Sequence, residues 1–427
     1  MEKIINTLKK STSVSAWKVT STQKKSCELF YVLDKLETNR ATDVIEYLVT
    51  VYVDEDGKRG SSSFCAYSYM DEEELNTLIE ENVFAAKFAM NEFYELPKPV
   101  ETKLEESKSN LKGKAFKDII EEVVNAVFAA NTYKDGYLSA TEFFLYENTK
   151  RVVNSNGIDV SSVSYEGQVE LIPSWEKDGE EVEVYHMLRF ESFDAAAVTK
   201  EVDEELQAAK ARFEAIVPPV KENIKVIIQN EEVGEILHSF VDELSYGSKY
   251  LKTNLYEIGE NIQGDNVAGD KFNIKLVPYY KNAYDSKAFD NDGIVMKELE
   301  VIKDGVATNM YGSNQYGYYL GIKNPSGLLP VMVVKEGTKS FKEMASEPYI
   351  RCVKFSGIQV DLNSGYFGGE VRLGYYFDGT KEIPVTGFAI SGDLDKSKSE
   401  FIFSKETVTT GSYHGPKYLE VKNITIG

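Results

Sequence analysis

Residues 28–68, ELFYVLDKLETNRATDVIEYLVTVYVDEDGKRGSSSFCAYS, alternate β-branched and aromatic residues with polar ones, and DEDGKRG interrupts the run. Period-two alternation around a glycine-bearing polar turn predicts antiparallel strands joined by a hairpin. The next segment, DEEELNTLIEENVFAAKFAMNEFYEL, changes period. Leu75, Leu78, Val83, Phe84, Phe88 and Phe93 recur near helical spacing behind acidic residues that suit a helix N-terminus, which predicts one long amphipathic helix. A polar connection over 97–114 leads to KAFKDIIEEVVNAVFAAN, a second helix that should end before the turn residues Lys134, Asp135 and Gly136.

From 138 to 190 the pattern returns to strands, and NSNG, YEGQ and EKDGEE read as the turns between them. A further helix is expected over about 194–215. The adjacent Pro218 and Pro219 then stop it, because proline lacks the amide donor and disfavours helical geometry in the residue before it. Beyond them come KVIIQN as a strand, a helix containing GEILHSFVDEL, and mostly strand patterns with glycine-rich turns to the end of the sequence. A chain of 427 residues exceeds what one hydrophobic core usually organises. The expected fold class is therefore α+β, with an N-terminal α/β domain of antiparallel strands and long helices over 1–217 and a predominantly β domain over 220–427.

Composition removes several function classes. A formal charge of −21 opposes direct binding to nucleic acid, whose phosphates are held chiefly by lysine and arginine, while leaving a cationic or unfolded peptide compatible as a partner. No apolar run approaches the ~18 residues that a membrane span needs. The N-terminal stretch MEKIINTLKKSTSVSAWKV lacks the apolar core of a secretory signal, so a cytoplasmic location is expected. Cys27, Cys65 and Cys352 lie far apart with no CxxC spacing and read as buried free thiols rather than as a disulfide framework or a zinc cluster.

GEILHSFVDEL is the segment closest to chemistry. In the zinc-protease helix HExxH, two histidines four apart share a face and the glutamate beside the first is the general base. Here His238 holds the first position, Ser239 stands beside it and Asp242 lies four on. An imidazole and a carboxylate can share one face, but serine cannot replace the proton acceptor, and two donors leave a zinc ion short of ligands. The alternative for a lone helical histidine is an ordinary surface or hydrogen-bonded residue. FDNDGIVMKELE fails as a calcium loop, because setting Gly293 at the sixth position puts Ala288 first and Leu299 last, where carboxylates are required. His186 and His414 have no cysteine or histidine near them in sequence. Tyr311, Tyr316, Tyr318 and Tyr319, in NMYGSNQYGYYLG, are either core residues or an adaptable peptide-contact surface.

The order of segments resembles the TldD/PmbA family, whose branches are TldD and TldE (PmbA). AFDNDGIVMKELEVIKDGVATNMYGSNQYGYYLG is similar to the family's acidic turn, strand and tyrosine-containing segment. GIQVDLNSGYFGGEVRLGYYFDGTKEIPVTGFAISGDL resembles its glycine-rich strand pair, and GPKYLEVKNITIG its closing strand. GSSSF and RVVNSNGIDVSSVSY match more loosely, and the resemblance spans most of the chain. It implies a cytoplasmic zinc peptidase assembly in which TldD and TldE pair around an enclosed cavity and act on unfolded peptides. The TldD branch carries HExxxH and a distal cysteine as metal ligands. The matching stretch here is HSFVDE: His238 fits the first ligand, Ser239 replaces the base, Glu243 stands where the second histidine would be, and the C-terminal segment SKSEFIFSKETVTTGSYHGP has no cysteine.

These departures favour the TldE branch. The resulting expectation is a subunit without zinc or a catalytic set of its own, partnered by a TldD-like subunit that carries the zinc, in a hetero- or homo-oligomer acting on unfolded peptides. Two other readings compete with it. One is a divergent metallopeptidase active by itself through His238, Asp242 or Glu243; the other is a non-enzymatic peptide-binding or regulatory protein of the DNA gyrase modulator type.

Overall fold

The structure is a computed structural model that describes residues 1–101, 104, 106–219 and 224–427. Part of the polar connection over 97–114, and position 220, where the second domain is expected to begin, lie outside the described residues. The fold is α+β.

The N-terminal half opens with helix α1 (Glu2–Lys10) and then builds a sheet from β1 (Ala16–Val32), β2 (Lys35–Glu55), β3 (Lys58–Ala66), β4 (Met90–Glu92), β5 (Gly136–Asn154), β6 (Asp159–Lys177), β7 (Glu180–Glu183) and β8 (His186–Phe190). Its strand order is β4-β3-β2-β1-β5-β6-β7, with β8 also on β6, and every pairing is antiparallel. Helices α2 (Glu72–Ala86), α3 (Phe116–Phe128) and α4 (Ala195–Glu214) supply the apolar cover. Leu75, Ile79 and Val83 of α2 pack with Val49, Val51 and Phe64 in one cluster, and Ile120 and Val123 of α3 join Val202 and Leu206 of α4 over Phe143 and Val169 in another.

Three expectations change in this half. Helix α2 is capped at its start by reciprocal bonds between Asp71 and Glu74, as the acidic opening suggests, but it stops at Ala86. Residues 90–92 instead pair with 58–60, and Phe84 and Phe88 meet each other at 5.0 Å on the solvent side. The YEGQ turn does not exist, because it lies inside the 19-residue β6. Gly167 is there for close approach: a Cβ would sit 2.1 Å from Phe190 Cζ on the neighbouring strand. Of the three thiols only Cys352 is buried; Cys65 is exposed.

Helix α4 ends before the two prolines, and Ile216 bridges to Val385 of the C-terminal half. From there run β9 (Lys225–Gln229), helices α5 (Glu231–Asp242) and α6 (Tyr246–Leu251), β10 (Ile274–Val277), β11 (Leu299–Lys303), β12 (Val306–Ala307), α7 (Asn314–Tyr319) and β13 (Val331–Val334). After α8 (Phe341–Met344) come β14 (Tyr349–Asp361), β15 (Tyr366–Phe377), β16 (Glu382–Val385), β17 (Phe388–Asp393), α9 (Leu394–Ser397), β18 (Ile402–Phe403), β19 (Thr407–Thr409), β20 (Tyr413–Pro416), β21 (Tyr418–Val421) and β22 (Thr425–Ile426). They form two sheets, ordered β12-β11-β10-β13-β20-β19 and β18-β21-β9-β14-β15-β17-β22, with β16 on β15. Helix α5 contributes Val233, Ile236, Leu237, Phe240 and Val241 to the shared core of this half.

Polar contacts tie the halves together. Lys18 Nζ bonds Asp292 Oδ1 at 2.6 Å, and Lys150 Nζ bonds Asn291 Oδ1 at 2.6 Å. At the other side of the junction Lys354 Nζ, on β14, donates to Glu205 Oε1 of α4 at 2.7 Å and lies 3.3 Å from His186 Nδ1. His186 Nε2 in turn lies 2.9 Å from Glu201 Oε1. The residues that failed as a calcium loop make a docking turn: buried Asp290 accepts the backbone N–H groups of Asp292 and Ile294, each at 2.9 Å.

Candidate functional site

Helix α5 follows β9 directly, after Asn230 takes a positive φ of 62°. Its apolar residues fall on one face, and Gly234 on that face lies against Tyr413, where an added Cβ would be 2.8 Å from the ring. That contact sets the helix orientation and turns Glu231, Glu235, His238 and Asp242 away from the core. Glu232 is carried inward in the first turn; it is 9% exposed, and burial pushes its carboxyl up to about 8. A helix N-terminus favours a negative charge, so desolvation is the stronger influence here.

His238 Nδ1 lies 3.2 Å from Asp242 Oδ1, with side chains 41% and 61% exposed. The hydrogen bond to Asp242 raises the imidazole above its ordinary value against the opposing effect of burial. Tyr311, 7% exposed, donates its hydroxyl to the same Asp242 oxygen at 3.1 Å, and burial pushes that phenol up. The two remaining positions, Ser239 and the C-cap residue Glu243, bond to backbone groups. Ser239 Oγ donates to Ile236 C=O at 2.7 Å, and Glu243 Oε2 accepts the Leu255 N–H at 2.6 Å. The structure thus brings His238 and Asp242 together and gives Ser239 and Glu243 backbone partners. Among the described residues no group of three or more His, Cys, Asp and Glu is placed to share a metal ion.

The four tyrosines separate by role. Tyr311 is a buried support for Asp242. Tyr316 and Tyr319, on α7, pack as tilted rings against Tyr250 of α6 at centroid distances of 5.6 and 4.9 Å. Tyr319 also donates to Glu92 C=O at 2.6 Å, and Asn314 donates to Glu95 C=O at 2.7 Å, so this short helix clasps the N-terminal half. Tyr318, 42% exposed, faces a cleft of ≈1310 Å³ between the halves that Leu96, Pro97, Ile158, Met310 and Lys323 also line. Sequence reasoning did not find this cleft, because its walls come from segments more than a hundred residues apart and no local pattern joins them.

The architecture defines an antiparallel-sheet half clasped to a two-sheet half whose core takes the apolar face of helix α5. Residues 221–427 match the family described as PmbA/TldA metallopeptidase C-terminal domain. The whole fold is shared with TldE from Thermococcus kodakarensis, at a TM-score of 0.79 and 16% identity, covering 100% of this chain and 99% of that one. It is shared equally with a candidate DNA gyrase modulator from Thermotoga maritima, at a TM-score of 0.78 and 17% identity over 100% and 99% of the two chains. A protein described in the same way from Bacteroides thetaiotaomicron gives 0.78 and 16% over 100% and 97%. At these identities the structural likeness speaks for the fold. No curated protein matches the chain in sequence. Residues 221–427 thus match the C-terminal domain of that family, within a fold shared with TldE along the whole chain.

Proposed function

We propose that this chain is the TldE-like subunit of a TldD/TldE-type metallopeptidase that acts on unfolded peptides, and that the zinc resides in a TldD-like partner. The observation that carries this reading is the state of helix α5. Its one histidine pairs with a carboxylate on the next turn, serine occupies the place of the base and bonds its own helix, and Glu243 caps a backbone amide. Two converging donors fall short of the three or four protein ligands that zinc takes. A complete catalytic helix must then come from another chain. The cleft between the halves, with Tyr318 on its wall, gives this subunit a surface on which an unfolded peptide is held.

The test is affinity purification of the tagged chain from its native host, identification of what co-purifies, and an assay of unfolded-peptide cleavage with and without that partner. The expected result is a TldD-like chain in stoichiometric amount and chelator-sensitive cleavage only when both are present. Purification as an isolated monomer overturns the partnership, and chelator-sensitive cleavage by the chain alone favours an independent metallopeptidase. No described helix is long and apolar enough to cross a membrane.

A further inference from the structure

Phe143, Leu145, Val169 and Leu171 join α3 and α4 in one core cluster. Side chains alternate along a strand, so Glu142, Phe144, Gln168 and Glu170 form the opposite face of the first sheet. The C-terminal half covers one end of that face, where Asp292 bonds Lys18 and Phe289 packs on Val152. Glu101, Leu104 and Glu106 of the polar connection also lie at that end, beside the cleft and its neighbouring cavity. The other end is bare: Val32, Tyr185 and Met187 are 52%, 59% and 43% exposed. Glu170 lies ten residues beyond Val160 of the cleft wall on β6, about 30 Å along the strand.

Charge on the bare end is unbalanced. The strand register sets Arg40 beside Glu28, Phe30 beside Glu142, Glu142 directly opposite Glu170, and Met187 next to Glu170. Arg40 Nε donates to Glu28 Oε2 at 2.6 Å and Arg189 Nε to Glu166 Oε1 at 2.7 Å, so both guanidinium groups are already matched. Glu142 and Glu170 have no ion pair among the described residues, and like charges directly opposite destabilise a sheet. Neutral donors fix Glu170: Gln168 Nε2 bonds its Oε1 at 2.6 Å and the Tyr185 hydroxyl its Oε2 at 3.0 Å. Glu142 receives no hydrogen bond among the described residues, and burial, then Glu170, raises its carboxyl above the ordinary value.

We infer that this bare end of the sheet docks a basic segment of a partner polypeptide, with an arginine or lysine side chain set between Glu142 and Glu170 and apolar neighbours laid on Val32, Phe30 and Met187. The inference is independent of the cleft and of the peptidase reading. A guanidinium or ammonium ion between the two carboxylates turns their repulsion into a pair of charge-assisted bonds. The apolar rim asks for more than a free cation, because an exposed apolar patch around a polar centre is the surface of a protein contact. Acidic partners, a second copy of this chain among them, are disfavoured by the chain's own formal charge of −21, which steers basic ones inward.

The probes are two fluorescein-labelled peptides, GLRVLRVLG and its acidic counterpart GLEVLEVLG, followed by anisotropy on the full chain. The parent is expected to prefer the basic peptide, and Glu142→Gln with Glu170→Gln should cut that preference about tenfold or more. Glutamine removes the like-charge contact, so this double variant should fold at least as stably as the parent in urea. Glu73→Gln with Glu81→Gln makes the same change in net charge on the exposed side of α2, and should leave the preference within about twofold. Val32→Ser keeps both carboxylates and should weaken the basic peptide about threefold, the loss of one apolar contact. No preference in the parent, a preference that survives the Glu142/Glu170 change, or an equal loss in the α2 control overturns the inference. Displacement of the basic peptide by spermidine at the peptide's own concentration assigns the face to free polyamines and overturns it as a polypeptide contact.

Discussion

His238 and Asp242 sit one turn apart on α5 with Nδ1 and Oδ1 at 3.2 Å, and the hydroxyl of Tyr311 reaches the same carboxylate oxygen from a buried position. His238 is thus held by a carboxylate of its own helix. In the reconstituted pair, His238→Ala should leave peptidase activity within about threefold, since a tenfold loss corresponds to 1.36 kcal/mol of transition-state stabilisation and a bystander contributes less. A loss of tenfold or more with an unchanged circular dichroism spectrum would show that His238 acts in the reaction.

The pair also titrates. Because Asp242 raises the folded-state value of His238, its contribution to stability is complete below the unfolded value of about 6.5 and disappears as pH rises through the folded value. Both side chains are more than a third exposed to solvent, which screens the pair, so the gain is on the order of 0.3–0.5 kcal/mol. Asp242→Asn should lower the His238 midpoint in an imidazole proton NMR titration; an unchanged midpoint would dissolve the pair as an electrostatic unit.

Zinc content follows from the same helix. The isolated chain, purified without chelators, is expected to carry less than about one zinc per ten molecules, because two donors do not make a site that needs three or four. Elemental analysis decides it: stoichiometric zinc that His238→Ala abolishes would contradict the silent-subunit reading.

Glu232 gives a second pH dependence of larger reach. Burial raises its folded value to about 8, above the unfolded carboxylate value near ~4.3, so stability is fullest below the lower value and declines as pH rises through the upper one. Glu232→Gln should flatten this slope, and urea midpoints at pH 5 and pH 8, within and at the end of the window, should converge in the variant. Parallel slopes in parent and variant would place the dependence elsewhere.

Gly234→Ala tests why the helix sits where it does. Alanine favours a helix over glycine by ~1 kcal/mol. Its Cβ here would lie 2.8 Å from Tyr413 Cγ, and overpacking at the core costs about 1–3 kcal/mol. The variant is expected to be less stable in urea unfolding despite the better propensity, and a gain in stability would show that the helix shifts freely.

At the junction of the halves, Lys354→Met leaves Glu205, whose Oε2 has no hydrogen-bond partner, without its ammonium ion at 2.7 Å. Loss of one partner of a largely buried pair costs about 3 kcal/mol, and adding Glu205→Gln should restore most of it. If the double variant is no better than the single, the charge pair is not what holds α4 to β14.

The sequence by itself determined the elements whose cause is local. Period-two alternation around Asp56 and Gly57 produced β2 and β3, the acidic opening at Asp71 produced a capped α2, and the spacing in HSFVD put a carboxylate, Asp242, one helical turn from His238. Local signals misled where a residue's reason lies on another strand. Gly167 read as a turn because the ring of Phe190 that demands it is not visible in the sequence around it, and α2 stopped at Ala86 because 90–92 found hydrogen-bond partners on β3. Only the tertiary structure assigned separate places to Tyr311, Tyr316, Tyr318 and Tyr319, joined Lys354 to Glu205 and His186, and set Val160 and Tyr318 on the walls of one cleft. Each of these depends on contacts between segments far apart in the chain, and such contacts are set by how whole faces pack, which no short window of residues encodes.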